Sequence, residues 1–187
     1  GDATELFQEG IIIPPVKFVR EGAIDGELAE LILSNVRTPE VRAGDLRAQI
    51  AANNLGLGRV FELTEEHGFE RVQKALEAIM DQSERRMRSE LAKMPKGTYE
   101  AEDLMEDTGV EDEPVRIRVK ITIKESNVTF DYTGTDPQVE GPVNAPLGVT
   151  LSGVYYTLMC ITDPTIPVND GCFRPVEIVV PEGCLLN

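Results

Sequence analysis

Apolar and polar residues alternate most regularly in the middle of the chain. Val115, Ile117, Val119, Ile121 and Ile123 are interleaved with Arg116, Arg118, Lys120, Thr122 and Lys124. This is the two-residue period of a strand with one face buried. Glu125-Ser126-Asn127 interrupts it, and Val128, Phe130 and Tyr132 resume it against Thr129, Asp131 and Thr133. The spacing predicts a β-hairpin. Tyr99 to Met105 predicts a further strand with Glu100 and Glu102 outward, setting an acidic strand beside a basic one. Val176 to Val180 predicts a late strand.

Elsewhere the period is three to four. Phe69, Val72, Leu76, Ile79, Met80, Met87 and Leu91 predict a helix from Phe69 to Met94. Its other face carries Glu70, Lys74, Glu77, Asp81, Arg85, Arg88 and Glu90, several spaced for opposite-charge pairs. Thr38-Pro39-Glu40 marks a helix start: a hydroxyl cap, Pro at the first position, an acid in the first turn. That helix is expected to reach about Asn53, or to continue to Glu66 with a disturbance at Gly56 and Gly58. Asp25 is placed to cap a short helix ending near Ser34, with Leu28, Leu31 and Ile32 on one face. The run Ile11 to Val19, with Pro14-Pro15 inside it, reads as extended chain at a sheet edge. Leu147 to Thr162 carries no charge over 16 residues. That is short of the ~20 a membrane-spanning helix needs, and it reads as a buried helix. These elements predict an α+β fold. Residues 1–96 form a helical N-terminal half packed against an antiparallel sheet. Residues 97–187 supply the sheet and a loop-rich C-terminal part around the one buried helix.

Charge narrows the possible partners. The 187 residues include 33 acids and 18 bases, a net charge of −15. A nucleic-acid-binding surface needs the opposite balance, and so does attachment to anionic membranes. No nucleic acid and no membrane is therefore expected as a partner. His67 is the sole histidine, so neither a His-rich metal site nor a Ser-His-Asp triad is proposed. Cys160, Cys172 and Cys184 are odd in number and lack a C-x-x-C spacing. They read as core thiols of a reducing, cytoplasmic compartment. The acidic stretch from Glu106 to Pro114 lacks the regular ligand alternation of a calcium loop and reads as a solvated loop.

Three stretches stand out chemically. From Gly44 to Asn54 the chain is more polar than a packing helix requires, with Asp45, Gln49 and Asn53 four apart and Arg47 between them. This is either a helix surface with paired charges or a polar stripe facing a pocket or a neighbouring subunit. The loop Asp131 to Pro146 brings Asp136 and Asn144 to the start of the uncharged helix. There Asn144 and Pro146 either cap the helix or help to hold an anion, although no phosphate-loop signature is present. From Glu125 to Asn187, Arg174 is the only base. It pairs with Asp170, Asp136 or Asp131, or binds an anionic substrate. Cys172 as a nucleophile is disfavoured, because no His lies near it in sequence.

The same stretches resemble the central part of the hydantoinase B/oxoprolinase family. The matching text is Ala3-Thr4-Glu5 through Pro14-Pro15-Val16-Lys17, Asn35-Val36-Arg37-Thr38-Pro39-Glu40 and Gly44-Asp45-Leu46-Arg47-Ala48-Gln49. It continues with Gly134-Thr135-Asp136-Pro137-Gln138-Val139, Gly141-Pro142-Val143-Asn144-Ala145-Pro146 and Tyr155-Tyr156. It ends with Asn169-Asp170-Gly171-Cys172-Phe173-Arg174-Pro175 and Pro181-Glu182-Gly183. Nearly the whole chain is covered in order. Family members are much longer, so the resemblance implies one fragment of a larger catalytic subunit.

It further implies a B-type component that opens a cyclic amide, a hydantoin or oxoproline, after an A-type subunit or domain has used ATP to activate it. A hetero-oligomer follows from this. The alternatives are a component of an acetone- or acetophenone-type carboxylase, or a structural interface module with no activity of its own. ATP belongs to the partner, and the divalent metal of the carboxylase relatives to a region N-terminal to this stretch. No cofactor or metal ligand is therefore expected in the chain, and the isolated fragment is expected to be inactive. The expected substrate-binding residues are Asp45, Arg47, Asn53, Asp136, Asn144 and Arg174, with no catalytic residue assigned.

Overall fold

A computed structural model describes residues 5–187. Ala3 and Thr4, where the resemblance begins, lie outside them. The described chain divides into two compact units, residues through Val72 and Gln73–Asn187.

The first unit is short elements and one long helix. Helix α1 (Leu6–Glu9) is followed by extended chain, then by a two-residue-per-strand hairpin, β1 (Val19–Arg20) and β2 (Ala23–Ile24). Of the extended chain expected at a sheet edge over Ile11 to Val19, only Val19 enters a ladder, in β1, while Ile11, Ile12 and Ile13 stay exposed and outside any ladder. Two consecutive prolines cannot donate to one. Asp25 caps α2 (Gly26–Ser34) as its sequence predicts, its Oδ1 accepting the Leu28 N–H at 3.1 Å. Helix α3 (Pro39–His67) then runs 29 residues without a break. Gly56 and Gly58 are absorbed into it, and Gly68 ends it. Thr38 occupies the cap position but its hydroxyl makes no capping bond.

The second unit holds a core. Helix α4 (Phe69–Lys93) enters it from Gln73 onward. The strands β3 (Gly97–Met105), β4 (Val115–Lys124) and β5 (Asn127–Asp131) form an antiparallel meander. Glu125, at φ 49°, and Ser126 make its second turn. As expected, acid faces base across it: Glu100 is opposite Lys120 and Glu102 opposite Arg118. The sheet is mixed rather than purely antiparallel. After α5 (Leu147–Ile161) and α6 (Asp170–Phe173), strand β6 (Val176–Val179) joins β5 in parallel, in the order β3-β4-β5-β6. The chain leaves β5, covers the sheet with α5, and can return only in the same direction.

Met87 and Leu91 of α4, Val128 and Phe130 of β5, Val154 and Leu158 of α5, Ile166 and Cys172 form the core. Each fully buried aliphatic side chain contributes roughly 1.5–3 kcal/mol. Two expectations change here. The apolar face of α4 is buried only in its second half; Phe69, Leu76 and Ile79 remain exposed. Helix α5 is not enclosed: Thr150, Val154 and Leu158 are buried, but Val149, Tyr156 and Ile161 face outward. Lack of charge over its 15 residues does not distinguish one apolar face from two. Cys160 lies on that outer face and is exposed, whereas Cys172 and Cys184 are core thiols; none is in a disulfide.

Candidate functional site

The segment 162–175 is fastened along α4. The Arg86 guanidinium donates to the Thr165 carbonyl (2.9 Å), the Thr165 hydroxyl and Asp163 Oδ2 (2.7 Å). Asp163 Oδ1 also accepts the Thr165 hydroxyl and N–H. These bonds, with that to Arg86, hold the Asp163 carboxyl down to a pKa of about 2. One turn earlier on α4, the fully buried Ser83 donates its hydroxyl to the Pro167 carbonyl and accepts from the Asn169 amide, each at 2.9 Å. Asn169 Oδ1 in turn accepts the Gly171 N–H, and Cys172 Sγ donates to the Pro167 carbonyl. Gly171 passes so close to α4 that a Cβ there would overlap the Met80 carbonyl. Only glycine fits.

Arg174 completes this fastening. Its guanidinium donates to Asp81 (2.8 Å) and Glu84 (3.1 Å), and Glu84 also accepts from Arg88. The pairs raise the Arg174 pKa, and Arg88 and Arg174 lower that of Glu84. Its partners are therefore not Asp170, Asp136 or Asp131, the carboxylates near in sequence, but two acids some ninety residues away. Phe173 stacks on Tyr155 of α5, ring centroids 3.9 Å apart.

The loop after β5 is bound to the chain's last residues. Asp136 accepts the Arg116 N–H (2.8 Å) and its guanidinium (3.2 Å). The Leu185 N–H bonds to the Asp136 carbonyl, the Gln138 N–H to Gly183, and the Ala145 N–H to Leu185. Asn144 spans the loop: Oδ1 accepts the Val139 N–H at 3.0 Å, and Nδ2 donates to Val139 (2.7 Å) and Gly141 (3.2 Å). It does not cap α5, whose cap position is Pro146, with no side-chain capping bond. Gly141, at φ 139°, lies against the Thr108 carbonyl where a Cβ has no room. Nearby, Lys120 first and then Thr133 hold the Asp131 carboxyl down to about 2.

The third stretch differs. On α3, Asp45 pairs with Arg42 at 2.8 Å. Arg47 and Asn53 are exposed, and among the described residues no side-chain hydrogen bond or ion pair engages either. Of the six expected substrate-binding residues, then, Asp136 and Asn144 share one braced loop and Arg174 is held by α4. Asp45, Arg47 and Asn53 share α3. The residues that sequence reasoning missed are Ser83, Asp81 and Glu84 on α4. Ser83 was detectable: it is the small polar residue inside the apolar series Leu76, Met80, Met87, Leu91.

Among the described residues, no three His, Cys, Asp or Glu side chains gather where a metal ion could sit. Nor is any described helix long and apolar enough to cross a membrane. An open cleft of about 560 Å³ lies where β3 leaves α4, between Lys96, Thr98, Thr122 and Lys124. None of the six expected residues lines it.

Helices over a mixed four-stranded sheet, with a returning segment locked onto α4 through Ser83, Arg86 and Arg174, define a module of α+β class. The chain belongs to the hydantoinase B/oxoprolinase family, whose model matches residues 1–187. It is 39% identical over 187 residues to an uncharacterized protein of Methanocaldococcus jannaschii, covering 100% of this chain and 32% of that one. It is 32% identical over 189 residues to caprolactamase subunit beta of Pseudomonas jessenii, covering 100% and 32%. The crystal structure of the ATP-dependent caprolactamase from that organism superimposes with a TM-score of 0.89 over 100% of this chain and 32% of that one. A nucleotide-free acetone carboxylase superimposes at 0.87 over 97% of this chain and 26% of that one, with 21% identity, and shows the fold alone. The chain spans about a third of the length of these curated relatives.

Proposed function

We propose that this chain works within the B-type component of an ATP-dependent enzyme that hydrolyses cyclic amides. Its substrate is a lactam or hydantoin activated by an A-type partner that uses ATP. The agreement with the caprolactamase in sequence and fold along the entire chain is the observation that carries this reading. Carboxylation is the weaker reading, since the acetone carboxylase shares the fold at 21% identity.

Local geometry divides the labour among the six residues. Asp136 and Asn144 have their side-chain polar atoms engaged, Arg174 is held through Nη1 by Asp81 and Glu84, and all three act as positioning residues for the loops that carry them. Arg47 and Asn53 retain unengaged donors on α3. In this proposal they bind the activated carbonyl or its developing negative charge, and Asp45 orients the helix surface through Arg42. Donors fixed before the reaction stabilise such charge without reorganising. A second reading follows from α3 having no buried residue: the same face seats the A-type partner.

The test is turnover by the protein together with an A-type partner. Caprolactam, hydantoin, 5-oxoproline, and acetone with bicarbonate are each offered with ATP. ATP-dependent opening of a cyclic amide is expected, with Arg47→Ala lowering kcat/KM at least tenfold at unchanged thermal stability. Consumption of acetone alone overturns the hydrolase reading. Unchanged kinetics in Arg47→Ala and Asn53→Ala remove both residues from the site. Weaker partner binding with an intact kcat at saturation moves them to the interface.

A further inference from the structure

Strand β3 is the long free edge of the sheet. Among the described residues it pairs with β4 on one side and with no strand on the other. Eight of its nine residues are exposed and only Met105 is half-buried; the opposite edge, β6, has four residues. An edge of this length presents the N–H and C=O of alternate residues to solvent.

Its two faces differ in character. Tyr99 and Ala101 lie opposite Ile121 and Val119, which pack against the core. Yet Tyr99 itself is 45% exposed, so the apolar side of the sheet continues past its cover. The other face carries Glu100 and Glu102. Glu100 accepts from Arg118 at 2.9 Å while its side chain stays 54% exposed. Among the described residues no side-chain hydrogen bond or ion pair engages Glu102.

We infer that the open edge of β3 receives an extended strand of another protein in which aliphatic residues alternate with Lys or Arg. Main-chain bonds to the unpaired edge supply affinity, and alternate side chains supply selectivity. The aliphatic residues lie beside Tyr99 and Ala101, and the cations beside Glu100 and Glu102. Strand β4 has this composition and is what β3 already accepts on its inner side. A second copy of β3 does not fit, because antiparallel pairing centred on Ala101 would set Glu100 against Glu102.

The probe is a synthetic peptide with the sequence of residues 115–124, compared with a counterpart carrying Glu at each basic position. Hydrogen exchange of the isotope-labelled full chain is followed by NMR. The basic peptide is expected to slow exchange at alternate β3 amides at least tenfold, with β4 and β5 still protected. The effect weakens as salt rises, and the acidic peptide leaves the edge unchanged. The double variant Glu100→Gln/Glu102→Gln keeps the fold and loses the discrimination between the two peptides. No slowing at β3 overturns the inference, as does equal slowing by both peptides or release of native β4. Edge protection that grows with protein concentration alone overturns it in favour of self-association.

Discussion

Helices α3 and α4 are similar in length and follow one another, yet they are stabilised in opposite ways. Over 29 residues α3 buries none. Its apolar residues, among them Val41, Leu55, Leu57, Val60, Phe61 and Leu63, fall all round the cylinder and are exposed. In its second half α4 buries Ser83, Met87 and Leu91 completely, on one stripe. It is tied by Ser83, Arg86 and the acids that hold Arg174 to a segment some eighty to ninety residues away. A helix in water draws its stability chiefly from packing of one face. The lesson is that α4 is structural material whose sequence is explained from within its unit. The sequence of α3 is not explained that way, and its exposed polar stripe is the better place to look for contacts with substrate or partner.

Substitutions break the contrast in graded steps. Gly171→Ala is expected to have the largest effect, about 4 kcal/mol or enough to prevent folding, because the new methyl meets the Met80 backbone rather than a movable side chain. Urea unfolding of purified protein measures it. Leu91→Ala, at a fully buried position, is expected to cost about 3 kcal/mol. The matched change Phe61→Ala on α3 should stay within about 0.5 kcal/mol. Equal losses for that pair would abolish the distinction between the two helices. Ser83→Ala leaves the half-buried Asn169 amide without its acceptor and should cost about 1–2 kcal/mol, read as a shift of the thermal midpoint.

The smallest effect is with pH. The folded carboxyls of Asp131 and Asp163 titrate near 2, below the ordinary 3.8 of the unfolded chain. Their contribution is complete above about pH 4 and is lost as pH falls toward 2. Asp131→Asn and Asp163→Asn should each flatten the acid limb of a stability profile measured by urea unfolding.

Periodicity and caps made the local structure legible. The alternation of 115–124 and 128–132, the acid–base pairing of β3 with β4, and the Asp25 cap all depend on neighbours in sequence, and all appear as read. Arg174 illustrates the limit. A lone cation in an acidic tail must find a carboxylate, but nothing local indicates that Asp81 and Glu84 are the ones. Asn144 at the start of a helix read first as a cap and otherwise as an anion ligand; it is a brace within its own loop. Gly171 carries no periodic signal at all, since its role is the closeness of a distant carbonyl. For the candidate site, chain chemistry identified the stretches, while the division into braced and unengaged residues came only from knowing every donor's acceptor.

The parallel seating of β6 sets an order of events for folding. Val128 and Val176 meet across 48 positions of sequence, whereas β4 and β5 meet across a two-residue turn. Distant pairings form slowly because the intervening chain must be confined before any bond repays it. The meander of β3, β4 and β5 can therefore assemble early, with the groove for β6 vacant until α5 and the strap over α4 are in place. Nascent chains halted at that stage would carry a second raw sheet margin, and it is there that misassembly should concentrate.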